Sequence, residues 1–305
     1  MMRVIITGGT GLIGSHLAAS LAKDGHEVIV LSRHPARHRQ DVPQGVRAEE
    51  WDARSAAGWG HLADGAGAIV NLAGENLSAG RWTDSQKKKI INSRLNAGRA
   101  VAQAVEQASQ KPGVVIQSSG TNYYGPHGDE VLTEESPPGN DFLARLCVDW
   151  EGSTAAVEAM GVRRAITRSG VVLSREAVAF RRLVLPFRFF IGGPLGNGRQ
   201  WLPWIHIADE IAAVRFLIDN PSASGPFNLT APDTITNRRL AQLIGQVLNR
   251  PAILPVPALA LRLALGEMST VVLDGQRVIP ARLQDLGYTF RFPEAEAALR
   301  DLLKQ

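Results

Sequence analysis

The sequence predicts an α/β protein with a Rossmann-like doubly wound parallel sheet and a smaller C-terminal α/β substrate lobe. Three features of the 305-residue chain lead to this prediction. Short apolar runs alternate with helical patterns, a glycine-rich turn follows the first run, and polar turns follow several later runs. Alternating strands and helices imply a parallel sheet covered on both faces, with ligands bound where the strands end.

The first 33 residues match the opening unit of a dinucleotide-binding fold. A strand is predicted over Arg3–Thr7, a helix over Ser15–Lys23 and a second strand over Val28–Leu31. Glycines in the intervening turn allow a tight bend and a close approach to a pyrophosphate, which the helix N-terminus attracts. The predicted cofactor contacts in this turn are Gly8, Thr10, Gly11, Leu12, Ile13 and Gly14.

The end of the second strand predicts that the cofactor is NADP(H). An NAD site of this type usually places Asp or Glu there to bind the ribose 2′-hydroxyl. This chain instead carries Ser32 and Arg33, and a guanidinium suits a 2′-phosphate by its charge and its fork of donors. Arg37 and Arg39 follow nearby and would add to the positive field. We therefore predict NADP rather than NAD, bound by Ser32 and Arg33.

The alternation of strands and helices continues to about residue 170 and then loosens. Later strands are predicted at Val46–Trp51, Ala68–Leu72, Val114–Gln117 and Arg163–Arg168, and helices at Thr83–Ala108, Asp141–Met160 and Ile207–Ile218. Asp52 ends the third strand and joins the predicted cofactor contacts, because ligands bind at strand ends. We predict a Rossmann NADP-binding domain over residues 1–170, with 204–220 packing back onto it. Residues 171–203 and 221–305 form the predicted substrate lobe.

The composition predicts a globular protein with balanced charge. The chain has 33 basic and 29 acidic residues and a net charge of only +4, which argues against a nucleic-acid partner. The apolar stretch Pro255–Leu265 is too short to span a bilayer. The single cysteine, Cys147, permits no intrachain disulfide, and the first residues show no leader pattern. We expect a cytoplasmic protein without a membrane partner that acts on a small-molecule substrate, and a homodimer is left open.

Two further features favour structural roles. His206 and Asp209 lie close together in the sequence, but no third ligand accompanies them at metal-site spacing, so no metal is predicted. A hydrogen bond that locks the sheet to the C-terminal lobe is the expected role of this stretch. Cys147 has no histidine near it in the sequence, so we expect an inert buried thiol.

Together with further motifs, these residues give the chain a family resemblance. It resembles the extended short-chain dehydrogenase/reductases, the superfamily of NAD(P)-dependent epimerases and dehydratases, and within it the atypical branch called epimerase family proteins, which carries a C-terminal domain of unknown function. The matching motifs are Thr7–Gly14, Asn71–Asn76, Ser93–Arg94, Tyr123–Gly125, Trp150–Glu151, Arg168–Leu173, Gly198–Trp201, Trp204–Ile207, Phe227–Pro232 and Gly266–Met268. The resemblance implies an NADP(H) site in which the backbone of Leu72, Ala73 and Gly74 lines the nucleotide and Arg94 reaches the cofactor phosphates.

One absence becomes important in the light of that resemblance. Members of the wider superfamily use a Tyr-x-x-x-Lys pair on the helix after the fifth strand, with a Ser or Thr at the end of that strand. The lysine and the cofactor lower the pKa of the tyrosine, which then exchanges a proton with the substrate. Here Cys147 stands in place of the tyrosine and Glu151 in place of the lysine. The three tyrosines of the chain, Tyr123, Tyr124 and Tyr288, lie elsewhere.

Three interpretations follow from the missing pair. The first is an NADP-dependent oxidoreductase or epimerase with a rearranged acid/base and an unassigned substrate. Its candidate residues are Ser119, Tyr123, Tyr124, Glu75 and Glu151. The second is a non-catalytic NADPH-binding scaffold or sensor, a role that the resemblance connects with cell division. The third is a reductase in which water or the substrate handles the proton. We adopt the first, with Ser119, Tyr123 and Tyr124 as predicted catalytic residues, while an ion pair with Arg94 or another base is the favoured role of Glu151.

Overall fold

A seven-stranded parallel sheet forms the centre of the computed structural model, which describes residues 1–35 and 42–304. The strands are β1 (Arg3–Thr7), β2 (Glu27–Ser32), β3 (Val46–Glu50), β4 (Ala68–Asn71), β5 (Val114–Gly120), β6 (Val131–Leu132), β7 (Arg163–Ser169), β8 (Val171–Leu173), β9 (Trp201–Leu202), β10 (Trp204–His206), β11 (Gly225–Leu229), β12 (Ile235–Thr236) and β13 (Arg277–Val278). The helices are α1 (Leu12–Lys23), α2 (Asp84–Gln107), α3 (Phe142–Gly152), α4 (Ala156–Ala159), α5 (Val178–Arg188), α6 (Ile207–Asp219), α7 (Asn237–Leu248), α8 (Ala258–Leu265), α9 (Thr270–Leu273), α10 (Ala281–Asp285) and α11 (Ala295–Leu303). The predicted Rossmann-like fold class is confirmed.

The strand order places a crevice near the middle of the sheet. Across the sheet the order is β11-β7-β5-β4-β1-β2-β3. The chain runs outward from β1 through β2 to β3, then crosses to the other side of β1 and adds β4, β5, β7 and β11. The loops that leave β1 and β4 therefore diverge, and doubly wound sheets bind ligands in the crevice that this reversal creates.

Alternate side chains of each central strand enter separate apolar layers on the two faces of the sheet. Val4 and Ile6 of β1 pack with Leu17 of α1 and Val214 of α6. Ile5 points the other way, into the layer that α2 covers. All five side chains are fully buried. Successive residues of a strand face opposite sides, so covering both faces requires the continuous apolar runs that the sequence shows.

The helix predicted over Asp141–Met160 is divided in the structure. Asp141 caps α3, as its position before the apolar pattern suggests, and its Oδ1 accepts a hydrogen bond from the third residue beyond it. The helix ends at Gly152, and α4 follows after a short turn. At this point the Ser153 hydroxyl donates to the Trp150 carbonyl at 2.6 Å. Such a bond competes with the helical backbone, which accounts for the break that the apolar periodicity did not reveal.

The last strand of the central sheet comes from the C-terminal part of the chain. β11 pairs with β7, with Gly225–Leu229 in register with Ala165–Ser169. Residues 221–305 are predicted to lie in the substrate lobe, and β11 within this range is part of the central sheet. Phe227 and Leu229 are fully buried in the same apolar layer as β1 and α6. Their burial in this layer fixes the strand at the edge of the central sheet. No local sequence pattern distinguishes this burial from burial in the lobe.

A separate apolar layer forms the smaller C-terminal lobe. α5, α7 and α11 pack around Phe180, Phe187, Leu240, Ile244 and Leu299. Two short pairings, β8 with β10 and β9 with β12, connect this layer to the end of β7. Among the residues that the structure describes, no helix has both the length and the apolar content needed to cross a membrane.

A buried carboxylate ties the end of the lobe to the sheet. Asp209, in the first turn of α6, is 1% exposed. Its Oδ1 accepts a hydrogen bond from the Arg291 amide at 2.7 Å and its Oδ2 one from the Phe292 amide at 2.8 Å. The Tyr288 hydroxyl donates to Oδ1 at 3.3 Å. The N-terminal position on α6 also favours a negative charge, and the expected locking role of this stretch is confirmed.

We predict that Asp209→Ala lowers the free energy of unfolding by about 2–4 kcal/mol, because two buried amides lose a charged acceptor. Urea denaturation followed by circular dichroism measures the change. Asp219→Ala, at the exposed end of the same helix, is the control and should change stability by less than about 0.5 kcal/mol. Similar losses in the two variants would contradict the role given to Asp209.

Candidate functional site

A cleft of about 280 Å³ lies over the crevice between β1 and β4. Its walls include these predicted cofactor contacts: Gly8, Thr10, Gly11, Ser32, Arg33, Leu72, Ala73 and Gly74. Gly8 has a φ of +66°, and a Cβ atom on it would lie 2.8 Å from the Leu72 carbonyl oxygen. Only glycine permits both the backbone angle and the approach. The glycine turn and the loop after β4 therefore meet at one cleft.

The glycine turn delivers the N-terminus of α1 to this cleft. Gly11 is the N-cap, and no side chain among the described residues caps the helix. The Gly11 amide donates to the Gly8 carbonyl at 3.0 Å, which closes the turn. The amides of Leu12 and Ile13 are first-turn donors that an anion can satisfy. Gly14 lies directly behind, where a Cβ atom would be 2.5 Å from the Gly8 carbonyl oxygen.

Ser32 and Arg33 follow β2 and form the edge of the same cleft. Ser32 is buried, and its Oγ accepts a hydrogen bond from the His34 amide at 3.2 Å. Arg33 is exposed. The described part of this turn contains no carboxylate, so its contribution to the cleft is a hydroxyl and a cation. Arg37 and Arg39, which we expected to add to the positive field, lie outside the described residues.

Asp52 lies beside the cleft, but its carboxylate accepts hydrogen bonds from backbone amides of its own turn. Its neighbours Trp51 and Ala53 line the cleft. Asp52 Oδ1 accepts hydrogen bonds from the Arg54 amide at 2.7 Å and the Ser55 amide at 2.8 Å. Partial burial raises the pKa of Asp52, but these hydrogen bonds outweigh it and hold the pKa below its usual value. The carboxylate thus shapes the wall of the cleft through the turn.

Arg94 supports the cleft from behind. Its side chain is buried, with Nη1 donating to the Glu75 carbonyl at 3.1 Å and Cζ 4.7 Å from the centre of the Trp150 ring. A Cβ atom on Gly74 would lie 3.0 Å from this guanidinium. The adjacent Ser93 does line the cleft, and its Oγ accepts a hydrogen bond from the Glu75 amide at 2.9 Å. These two residues of α2 hold the loop after β4 in place.

A buried chain of hydrogen bonds, which the sequence analysis missed, connects the ends of β1, β4 and β5. Thr7 Oγ1 donates to Asn71 Oδ1 at 2.7 Å, and Asn71 Nδ2 donates to Gln117 Oε1 at 2.8 Å. Thr7 Oγ1 also accepts hydrogen bonds from the amides of Leu72 and Ala73. The three polar side chains are fully buried. Each of the three is a polar residue that ends an apolar run. This pattern is the sequence signal from which they could have been predicted.

A buried guanidinium organises the three predicted catalytic residues. Arg168 is 3% exposed, and its Nε and Nη2 donate to the two carboxylate oxygens of Glu151 at 2.9 and 3.0 Å. Ser119 Oγ donates to Oε1 of the same carboxylate at 2.7 Å. Arg168 Nη1 donates to the Tyr124 hydroxyl at 3.1 Å, and Cζ lies 3.3 Å from the centre of the Tyr123 ring. The structure therefore brings the predicted residues together, with an arginine among them.

Burial gives Tyr124 a structural role. Its side chain is fully buried, and its hydroxyl donates to Asn228 Oδ1 at 2.6 Å. Burial raises the pKa of Tyr124 to about 12, although Arg168 acts in the opposite direction. A tyrosine that exchanges protons at neutral pH requires a lowered pKa. Tyr123 packs edge to face on the Tyr124 ring, with the ring centres 5.3 Å apart.

Buried groups also occupy the places of the missing tyrosine and lysine. Cys147 is 6% exposed, and burial raises the pKa of its thiol to about 11. The expected burial of the thiol is confirmed, and a raised pKa disfavours the reactive thiolate. The ion pair expected for Glu151 also forms, and the base is Arg168 rather than Arg94.

A second, smaller cavity of about 120 Å³ lies beyond the ends of β5 and β7, against the C-terminal part of the chain. Ser169 and Gly170 line it after β7, Thr121 and Asn122 line it after β5, and Trp201 lines it from the lobe. Strand-end polar groups and lobe residues meet here, so this cavity is the candidate substrate space. Because the walls of this cavity come from distant parts of the chain, no local sequence pattern predicts it.

His206 acts as a helix cap. Its Nδ1 accepts a hydrogen bond from the Ala208 amide at 3.1 Å, and its Nε2 faces Asp301 at 3.3 Å. Burial lowers the pKa of His206, which favours the neutral ring that this cap requires. In residues 1–35 and 42–304, no three histidine, cysteine or carboxylate side chains are grouped so that they could hold a metal ion.

We predict that Gly14→Ala weakens NADPH binding by about tenfold or more, because the added Cβ atom would push apart the turn that presents the α1 amides. Isothermal titration calorimetry with NADPH measures the affinity. Gly152→Ala, where a Cβ atom would meet nothing within 4 Å, is the matched control and should bind as the natural protein does. Unchanged affinity in a folded Gly14→Ala variant would refute the proposed geometry.

Comparison with known proteins identifies the family of this chain. A sequence model of the NAD dependent epimerase/dehydratase family matches residues 4–230, and the Domain of unknown function (DUF1731) matches residues 256–302. Epimerase family protein YfhF of Bacillus subtilis is 37% identical over 303 residues, which cover 99% of this chain and 98% of the relative. The chloroplastic epimerase family protein SDR39U1 homolog of Arabidopsis thaliana is 39% identical over 310 residues, which cover 99% and 87%.

A solved structure extends the likeness to three dimensions. The crystal structure of human epimerase family protein SDR39U1 (isoform 2) with NADPH matches this chain with a TM-score of 0.89 and 35% identity, covering 100% of both chains. The family resemblance read from the motifs is thus confirmed by sequence and by structure. The chain belongs to the NAD dependent epimerase/dehydratase family, in the branch of epimerase family proteins that end in the DUF1731 domain.

Proposed function

We propose that this epimerase family protein binds NADP(H) and is an oxidoreductase or epimerase that works without the Tyr-x-x-x-Lys pair. The observation that carries the cofactor preference is Arg33 at the edge of the cleft, where an NAD site would present a carboxylate. The NADPH in the crystal structure of the human relative supports the same preference. Family membership supports hydride transfer as the chemistry.

The described residues fit a phosphorylated dinucleotide. Gly8 and Gly14 leave room for the turn, and the uncapped N-terminus of α1 offers amides to a pyrophosphate. Arg33 offers a guanidinium fork to a 2′-phosphate. When bound, the cofactor supplies or accepts a hydride. The chain holds the walls of the cleft rigid for this purpose through Thr7 and Arg94, whose hydrogen bonds fix the loop after β4.

The proton of such a reaction has to come from a group other than those of the missing pair. The Ser119 hydroxyl is 6% exposed and donates its hydrogen to Glu151. Arg168 compensates the charge of Glu151 with two hydrogen bonds. Tyr124 is sealed in the interior. Because these side chains are engaged with one another, the proposed oxidoreductase requires a proton donor outside this network.

We predict that Arg33→Asp raises the Kd for NADPH about 10- to 100-fold, because charge-assisted hydrogen bonds contribute about 1.5–3 kcal/mol. The Kd for NADH should change by less than about threefold, since NADH has no 2′-phosphate for Arg33 to bind. Calorimetric titration with both cofactors measures the two affinities.

Arg199→Asp is the control for net charge, because Arg199 is also exposed but belongs to the lobe. It should leave both affinities unchanged. If Arg33→Asp weakened NADPH and NADH equally, Arg33 would not be the reader of the 2′-phosphate, and the preference for NADP(H) would lose its basis.

A non-catalytic NADPH-binding scaffold or sensor is the second candidate. The observation that favours it is the closed network around Arg168, which engages Ser119, Tyr124 and Glu151 with one another. A protein of this kind would bind NADPH tightly and would not consume it with any carbonyl substrate. A measurement of turnover separates the two candidates.

We predict NADPH oxidation by the natural protein with a panel of small aldehydes and ketones, and Tyr124→Phe should keep the rate within about threefold. A general acid contributes about 100-fold or more, so a phenol that donated the proton would show a far larger loss. The rate is measured from NADPH absorbance. A folded Tyr124→Phe variant without turnover would return the acid role to Tyr124, whereas tight NADPH binding without any turnover would favour the scaffold.

A further inference from the structure

Two serine–carboxylate pairs lie at the ends of neighbouring strands. In the described part of the chain, an arginine neutralises the carboxylate of the first pair but not that of the second. Ser119 of β5 donates to Glu151, which Arg168 neutralises. One strand away, Ser169 ends β7 in register with Gly120 of β5. Ser169 Oγ donates to Glu210 Oε1 at 2.7 Å. No arginine, lysine or histidine among the described residues forms an ion pair with Glu210.

Glu210 is buried in an unusual way. It lies in the first turn of α6 and is 1% exposed. Its Oε2 has no hydrogen-bond partner among the described residues. Burying a carboxylate without a cation, and with one oxygen unpartnered, has a high free-energy cost. A carboxyl group in this environment therefore favours the protonated, neutral form. In agreement with this, burial raises the pKa of Glu210 to about 7, although the hydrogen bond from Ser169 lowers it.

The charged groups around α6 are engaged elsewhere and do not neutralise Glu210. On β7, Arg163 donates to carbonyl oxygens at the far end of α6, and Arg168 pairs with Glu151. The other titratable side chains on elements packed against α6 are Arg164 with Glu158, His16 with Glu176, the exposed Lys23, and His206 as the helix cap. Asp209 and Tyr288 also lie close by. Burial raises the pKa of Tyr288, and the charges of Asp209 and, to a smaller extent, Glu210 act in the same direction.

Ser169 connects Glu210 to the second cavity. Ser169 is half-buried and lines that cavity together with Thr121, Asn122 and Gly170. The oxygen–oxygen distance of 2.7 Å between Ser169 and Glu210 suits a hydrogen bond in either direction. When Glu210 carries a proton it can donate to Ser169 Oγ, and the serine hydrogen is then free to point into the cavity.

We propose that Ser169 and Glu210 form a proton-donating pair that opens into the cavity at the ends of β5 and β7 and supplies the proton that a tyrosine supplies in the wider superfamily. This inference rests on the proposed oxidoreductase function. Ser169 is the group that meets the ligand, and Glu210 acts through it as the source of the proton.

The step is balanced for reduction of a carbonyl compound. The carbonyl carbon accepts the hydride of NADPH, which becomes NADP⁺, and the C=O π bond breaks as a C–H bond forms. The carbonyl oxygen takes the hydroxyl proton of Ser169, and Ser169 Oγ takes the carboxyl proton of Glu210. Glu210 is left as a carboxylate and regains a proton from solvent. The reverse sequence serves oxidation of an alcohol.

The protonation state of Glu210 is tested first, on the full chain labelled with ¹³C at the glutamate carboxyl carbons. NMR spectra between pH 5 and 9 should show one carboxyl that titrates near pH 7 and is missing from Glu210→Gln. In Ser169→Ala the same titration should move to higher pH, because the variant removes a hydrogen bond that stabilises the carboxylate. A Glu210 that is ionised throughout this range would overturn the proposal.

The connection to the cofactor is tested by calorimetry in buffers with different ionisation enthalpies, which counts the protons exchanged on binding. The oxidised nicotinamide ring is positively charged, and the reduced ring is neutral. The proposed reaction requires the ring to lie beside the second cavity. A carboxyl there that titrates near neutrality should therefore release protons when NADP⁺ binds at pH 7, on the order of a few tenths of a proton, and fewer when NADPH binds. Glu210→Gln should abolish this difference.

Glu134→Gln is the matched control. Glu134 is also buried, has one unpartnered oxygen among the described residues, and has a pKa that burial raises. Unlike Glu210, it accepts hydrogen bonds from the Asn228 and Arg282 amides and lies away from the second cavity. This variant should keep the difference between NADP⁺ and NADPH. Equal proton counts for the two cofactors in the natural protein would overturn the proton-donating pair while the cofactor assignment stands. Binding of neither cofactor would instead reject the proposed function, and the inference with it.

Discussion

The carboxyl edge of the sheet depends on the hydrogen bonds and ring contacts of the buried Arg168 guanidinium. It donates two hydrogen bonds to Glu151, one to the Tyr124 hydroxyl, and lies against the face of the Tyr123 ring. A cation this deeply buried is stable only because an anion and oriented acceptors surround it, and removing one partner would leave an uncompensated charge. The loop after β5 and the helix α3 are therefore fixed to β7, and Ser119, Tyr124 and Glu151 are engaged in this network.

The cleft at the glycine turn is built independently of the network around Arg168. The cofactor cleft is built from backbone at Gly8 and Gly14 and from the loop that Arg94 and Thr7 hold. None of that depends on the residues at positions 147 and 151. The contacts that build this cleft are therefore separate from the positions of the missing pair.

Electrostatics distinguishes the two serine–carboxylate pairs at adjacent strand ends. Glu151 shares its pair with Arg168, so its negative charge is compensated. Glu210 has a serine and no such cation, so its environment favours the neutral acid. The same two residue types thus acquire opposite chemical character from one additional side chain. This contrast is the basis of the proton-donating pair that we propose at the end of β7.

The sequence by itself determined the fold class and several residues that line the cleft at the glycine turn, because both rest on local signals. Glycines at fixed spacing between a strand and a helix can be read without tertiary information, as can the absence of an acid beside Arg33. Only the tertiary structure decided the partners of buried charges and the edge of the sheet. Arg168 meets Glu151, Ser169 meets Glu210, and β11 joins β7 through contacts between distant parts of the chain. Such pairings depend on how the layers pack, and periodicity along the chain does not encode them.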